Sequence, residues 1–110
     1  MMQGEIWYAN LNPAKGSEQS GFRPLVVISG NLLNEHLKVV IACPLTTSVK
    51  NYKGNVVLQP TSNNKLTKTS EILVFHIRSV AKERLVRKIG SITAKELALV
   101  KEGLNDILRY

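Results

Sequence analysis

Leu25-Val26-Val27-Ile28-Ser29 and Val39-Val40-Ile41-Ala42-Cys43 are two apolar runs separated by a short connector. The second is too uniformly apolar to be half exposed, so it reads as a central, buried strand. Lys15-Gly16-Ser17-Glu18-Gln19-Ser20-Gly21-Phe22-Arg23-Pro24 leads into the first run, and Pro44-Leu45-Thr46-Thr47-Ser48 follows the second. In an antiparallel pair the start of one strand lies beside the end of the other. Arg23 and Thr46 are thereby predicted to meet at one end of one hairpin.

The flanking sequence fits a small antiparallel β protein. Glu5–Asn10 is rich in aromatic and β-branched residues and reads as a strand. Leu11–Phe22, with Asn12-Pro13, Gly16 and Gly21, is turn chemistry without periodicity. Pro24 is expected to open the next strand, where its missing N–H does least harm. Gly30–Leu37 is a connector with room for a turn of helix. Residues 49–54 read as a polar, basic loop, Asn55–Gln59 as a strand and Thr61–Lys65 as a turn of self-satisfying polar residues.

Ile72–Val80 alternates as a single strand would. Leu73, Phe75 and Ile77 are predicted on the core face, with Val74, His76 and Arg78 on the other. Val86–Ile92 is a last strand. Thr93-Ala94-Lys95-Glu96 fits a capping box, and Leu97, Val100, Leu104, Ile107 and Leu108 recur at helical spacing. Residues 94–108 are therefore expected to form one amphipathic helix on the sheet, weakened a little by Gly103. Six or seven short strands and a terminal helix give a mainly β (α+β) class, a strongly bent sheet or barrel.

A chain of 110 residues with a hydrophobic fraction of 44% is expected to form one domain, residues 1–110, with a real core. The single cysteine, Cys43, lies in an apolar run without a basic neighbour, so it reads as a buried, inert thiol in a reducing compartment. No apolar run approaches the length of a membrane span, and the first strand begins too early for a signal peptide. A cytoplasmic location without membrane attachment is expected.

The net charge of +7 is uneven: residues 1–40 balance, whereas residues 41–80 carry five basic side chains and one acidic. The densest patch is Lys82-Glu83-Arg84 with Arg87-Lys88. Concentrated cations favour a polyanionic partner without naming it. Ligand spacing for a metal is absent, as are a phosphate-binding Gly-rich loop and a nucleophile elbow, so no metal and no cofactor are expected. Two readings stand for Arg23: it pins the loop through Glu18 or a carbonyl, or it joins the Thr46 hydroxyl around a phosphate or phosphorane. Thr46 and Thr47 as strand-ending residues, and His76 as a satisfied surface histidine, are the corresponding structural readings.

Gly4-Glu5-Ile6-Trp7, Asn12-Pro13-Ala14-Lys15-Gly16-Ser17-Glu18-Gln19, Gly21-Phe22-Arg23-Pro24 and Pro44-Leu45-Thr46-Thr47-Ser48 resemble the MazF/PemK (Kid)-type toxins of toxin–antitoxin systems. Ile77-Arg78-Ser79-Val80, Arg84-Leu85 and Lys88-Ile89-Gly90 are similar to a later segment of that family. The resemblance implies an SH3-like barrel of the PemK/CcdB type with a C-terminal helix, assembled as a homodimer. It implies sequence-specific, metal-independent cleavage of single-stranded RNA, chiefly mRNA, leaving a 2′,3′-cyclic phosphate and a 5′-hydroxyl. An acidic, MazE-like antitoxin would block the groove, and operator DNA would be a further partner of the toxin–antitoxin complex. The family's catalytic arginine and threonine carry over onto Arg23 and Thr46, and its loop glutamate onto Glu18. Lys15, Ser17, Gln19, Phe22, Thr47, Ser48, His76 and Arg78 are the candidate RNA contacts. Ser17–Gln19 and Lys50–Gly54 are expected to border the bases, with Phe22 and Tyr52 the nearest aromatics.

His76 departs from the glutamine that many members carry there. Because an arginine is a poor proton acceptor, Arg23 is read as stabilising charge and donating to the leaving group, Thr46 as holding a phosphate oxygen, and Glu18 or His76 as the base. The rival readings are a CcdB-like inhibitor of DNA gyrase and an SH3-like nucleic-acid-binding module without activity.

Overall fold

The computed structural model describes residues 1–11 and 21–110. Among these, seven strands form one sheet: β1 (Glu5–Asn10), β2 (Phe22–Val27), β3 (Val39–Thr46), β4 (Val56–Leu58), β5 (Ser70–Ile72), β6 (Arg78–Ala81) and β7 (Leu85–Ser91). Their order is β4-β5-β3-β2-β1-β7, with β6 also on β3, and every pairing is antiparallel. A short helix α1 (Asn31–His36) fills the β2–β3 connector, and α2 (Ala94–Arg109) closes the chain.

β3 is the centre, as its apolar run requires. It pairs with β2 through Leu25↔Pro44, Val26↔Cys43 and Val27↔Ala42. Both faces of this hairpin are buried. Val26 and Cys43 join Ile6, Leu45, Ile72, Val74 and Val100 in the larger core, while Leu25, Val27 and Ala42 join Leu11, Val40 and Val80 in the second. β3 and β2 also run further than the apolar pattern, through Pro44 to Thr46 and from Phe22 through Pro24.

The expected single strand over Ile72–Val80 is two strands with a 3-10 turn, Val74–His76, between them. Both lie along β3, with Leu45↔Ile72 before the turn and Ala42↔Arg78 after it. Three residue steps along β3 thus face six along the other segment, and the turn takes up the excess. Pro44 lies at this break. Its carbonyl accepts the Leu73 N–H at 2.8 Å, and its missing donor falls where the ladder is interrupted. Leu73 is buried and Ile77 packs against the larger core as predicted, but the turn exchanges the two residues after Leu73: Val74 is 0% exposed and Phe75 is 46% exposed.

Helix α2 begins as its sequence requires. Glu96 N–H donates to Thr93 Oγ1 at 3.1 Å, and Thr93 N–H donates to Glu96 Oε1 at 2.8 Å. Gly103 has a positive reason to be there, because a Cβ would stand 2.0 Å from the Gly54 carbonyl oxygen. The helix backbone rests directly on the 50–55 loop.

Candidate functional site

The β2–β3 register, continued by two residues on each strand, sets Arg23 opposite Thr46. The pairs Ala9↔Arg23 and Thr46↔Glu71 extend this line to either side. Residues opposite one another in an antiparallel sheet share a face. Ala9, Arg23, Thr46 and Glu71 therefore form one row across β1, β2, β3 and β5. Arg23 and Thr46 are both half buried, and Thr47 and Ser48 beyond them are exposed. Thr46 Oγ1 accepts the Ser48 N–H at 3.1 Å, which turns the hydroxyl toward the chain end and leaves its proton for another acceptor.

Phe22 alternates to the opposite face. It is 54% exposed and sits 6.0 Å from the Tyr8 ring. Lys15, Ser17, Glu18 and Gln19 lie outside the described residues.

Glu71 is the residue that sequence reasoning misses. It is the largest charged side chain among the fully buried residues. Oε1 accepts the N–H groups of Lys50 (2.7 Å) and Asn51 (2.9 Å); Oε2 accepts Tyr52 N–H and Asn55 Nδ2, both at 3.0 Å. Burial alone would raise its pKa, but these four donors outweigh that and hold the carboxyl below its ordinary value. The one signal in the sequence is a lone acid between Ser70 and Ile72 in an apolar context. Nothing in the pattern indicates the donors, which come from a loop some twenty residues away.

His76 ends the 3-10 turn and Arg78 opens β6, so they do not stand side by side on one strand. The His76 ring lies 4.6 Å from Phe75, which meets Tyr52 edge-on at 6.1 Å. Tyr52 and Phe75 are both exposed, which leaves an aromatic surface next to the loop held by Glu71.

The basic patch at 82–88 is dispersed by the fold. Lys82 Nζ donates to the Asn34 carbonyl, Arg84 donates to the Asn10 carbonyl at 3.2 Å, and Lys88 pairs with Glu5 at 3.0 Å. Arg87 instead lies 5.6 Å from the Tyr8 ring centroid. There it joins Lys65 and Lys68 around a cavity of about 370 Å³ floored by Pro24, Leu66 and Ile89. Lys65 has φ +54°, held by a turn built on buried Asn64, whose Oδ1 accepts Thr61 and Leu66 N–H groups.

Burial pushes the Cys43 thiol up to about 12, which makes it inert. Among the described residues no three His, Cys, Asp or Glu side chains are grouped to hold a metal ion, and no helix is long and apolar enough to cross a membrane.

These features define a class: a small antiparallel sheet capped by a C-terminal helix, with an arginine and a threonine opposite one another in register at the end of its central hairpin. Residues 2–108 match the family model described as PemK-like, MazF-like toxin of type II toxin–antitoxin system, and the chain belongs to that family. It is 38% identical to Endoribonuclease MazF9 of Mycobacterium tuberculosis over 94% of this chain and 92% of that one. It is 31% identical to Endoribonuclease toxin MazF of Escherichia coli K12 over 96% and 91%. The fold superposes on the crystal structure of MazF from Deinococcus radiodurans with a TM-score of 0.85 at 30% identity, covering 100% and 97% of the two chains. A MazE–MazF crystal structure from the same organism matches at 0.77 and 27% identity, over 98% and 95%.

Proposed function

We propose that this protein is a cytoplasmic endoribonuclease toxin that cuts single-stranded RNA at specific words without a metal ion. The observation that carries the reading is the Arg23–Thr46 pair at the rim of the β2–β3 hairpin, in a chain related to proteins named endoribonucleases.

The chemistry follows from the groups available. The ribose 2′-oxygen attacks the adjacent phosphorus, its proton passes to a base, and the P–O5′ bond breaks as the leaving oxygen gains a proton. The products are a 2′,3′-cyclic phosphate and a 5′-hydroxyl. Charge builds on the non-bridging oxygens of the phosphorane, and a fixed guanidinium stabilises it. Arg23 does this and passes a guanidinium proton to the leaving oxygen, taking one back from water or from the protonated base. The Thr46 hydroxyl, its lone pair engaged by Ser48 N–H, donates to a phosphate oxygen. The guanidinium offers donors and no acceptor, so the proton acceptor is Glu18 or His76. Lys15, Ser17, Gln19, Phe22, Thr47, Ser48 and Arg78 are assigned to the RNA, with Lys50 and Tyr52 bordering the bases.

An acidic antitoxin is the natural inhibitor of a chain of net charge +7. The cavity between Lys65, Lys68 and Arg87, cationic at its rim and apolar at its floor, suits an acidic segment carrying an apolar side chain. A homodimer is proposed from the apolar residues exposed on α2, Leu99, Ile107 and Leu108. Operator DNA would be bound by the complex with the antitoxin.

The test is incubation of purified protein with a mixed RNA in EDTA. Site-specific cuts ending in cyclic phosphate, slowed by several orders of magnitude but still measurable with Arg23→Ala, are expected. Intact RNA would favour a gyrase inhibitor or a passive binding module.

A further inference from the structure

The Glu71 carboxylate is buried on the same face and in the same cross-sheet row as Arg23 and Thr46. Adjacent strands are about 4.8 Å apart, so Glu71 is the immediate neighbour of Thr46 on β5. It is too thoroughly bonded to serve as a proton acceptor. Each oxygen takes two donors, and those donors belong to the segment that leaves Thr46 and folds back over this face.

We propose that Glu71 is a positioning residue for RNA cleavage, holding the loop after Thr46 as a preformed edge that reads the base beside the scissile phosphate. This role rests on the ribonuclease reading.

Three observations carry it. The consecutive N–H groups of Lys50, Asn51 and Tyr52 converge as an anion-binding nest, and the occupant is the protein's own carboxylate. Asn51 has φ +55°, a left-handed conformation that asparagine adopts readily and that turns the N–H groups on either side of it toward one carboxylate. The clamp also reaches a second segment. Asn55 donates to Glu71 through Nδ2 and accepts the Val74 N–H through Oδ1 at 2.9 Å, at the start of the turn that bears Phe75 and His76. One carboxylate thus sets Lys50 and Tyr52 directly, and Phe75 and His76 through Asn55. From behind, the Gly54 carbonyl rests against Gly103, so the loop cannot retreat toward α2. A loop fixed before substrate arrives loses little freedom on binding and discriminates between bases, whereas a loose loop accommodates several.

The carboxylate also has to be tolerated beside an RNA phosphate. Four donors directed at its oxygens spread its charge into the loop, which allows an acid to occupy this row at all.

The experiment has two arms, both on the full chain. In the first, single-turnover cleavage of a mixed RNA in EDTA is compared for wild type and Glu71→Gln at a temperature where circular dichroism finds both folded. Glutamine keeps the shape but turns an amide NH2 toward two donors. The expected result is a loss of tenfold or more in rate at the preferred word, with cuts appearing at words the wild type spares. An unchanged ranking of words, with rates within twofold, would overturn the proposal, because a purely stabilising role leaves word choice alone. In the second arm, hydrogen exchange is read on wild type, so it stands if the variant does not fold. The Lys50, Asn51 and Tyr52 amides should be protected at least a hundredfold relative to unstructured peptide. Free exchange at these three would overturn the clamp. Wild type that cuts no RNA but protects these amides would remove the ribonuclease reading, and with it this role for Glu71, while leaving the clamp itself intact.

Discussion

Replacing Gly103 by alanine sets two effects of known sign against each other. Position 103 is in the interior of α2, where helix propensity alone favours alanine over glycine by about 1 kcal/mol. The new Cβ, however, would stand 2.0 Å from the Gly54 carbonyl oxygen and 3.0 Å from its carbon. Favourable contact begins near 3.5 Å, so helix and loop must separate by about 1.5 Å. Neither side yields easily. Gly54 has φ +94°, and the neighbouring Asn55 is tied to both Glu71 and Val74. Overpacking of this kind costs about 1–3 kcal/mol, with the upper end expected where the obstructing atoms are backbone. The net effect is a loss of about 1–2 kcal/mol, or a melting temperature lower by roughly 5–15 °C for a domain of this size. Thermal unfolding followed by circular dichroism decides the sign. A variant that melts higher than wild type would mean that propensity outweighs packing and that the Gly54–Gly103 approach is not tight.

Two further outcomes follow from the buried groups. Glu71 is held below the ordinary glutamate value of 4.5, and so is Glu5, whose burial is outweighed by Met2 N–H, the Trp7 indole and Lys88. Their contribution to stability is complete above the unfolded-state pKa and lost as pH falls through the depressed folded values. The melting temperature should be flat from neutral pH to about 5 and fall below 4.5, more steeply for wild type than for Glu71→Gln; parallel acid limbs would contradict this. Cys43, with its thiol pushed up to about 12, should resist iodoacetamide at pH 8 in the native protein and react once unfolded, as mass spectrometry would record.

The central hairpin was legible because β2 and β3 are buried on both faces, and an unbroken apolar run of strand length seldom arises in any other setting. The terminal helix was legible from its capping box and spacing. The 3-10 turn at Val74–His76 was not. Apolar and polar residues alternate straight through it, and only the pairing with β3 reveals three surplus residues. The basic patch misled for a related reason. Neighbours in sequence point to different partners, so Lys82, Arg84 and Lys88 bind Asn34, Asn10 and Glu5, while the cations that gather around a cavity come from residues 65, 68 and 87. Glu71 was hidden because a buried acid depends on its donors, and those are set by loop geometry. Of the predicted site, Arg23 and Thr46 stand in register as the hairpin argument required, and the residues expected from the preceding loop, Lys15 to Gln19, lie outside the described segment.

The claim that Arg23 and Thr46 act on one phosphate is tested most directly by a double-mutant cycle. Single-turnover cleavage of a mixed RNA in EDTA would be measured for wild type, Arg23→Ala, Thr46→Val and the double variant. Groups that stabilise the same phosphorane are strongly non-additive, so the double variant should be scarcely slower than Arg23→Ala alone. Losses that multiply, or a Thr46→Val protein that cuts at the wild-type rate, would contradict the shared site.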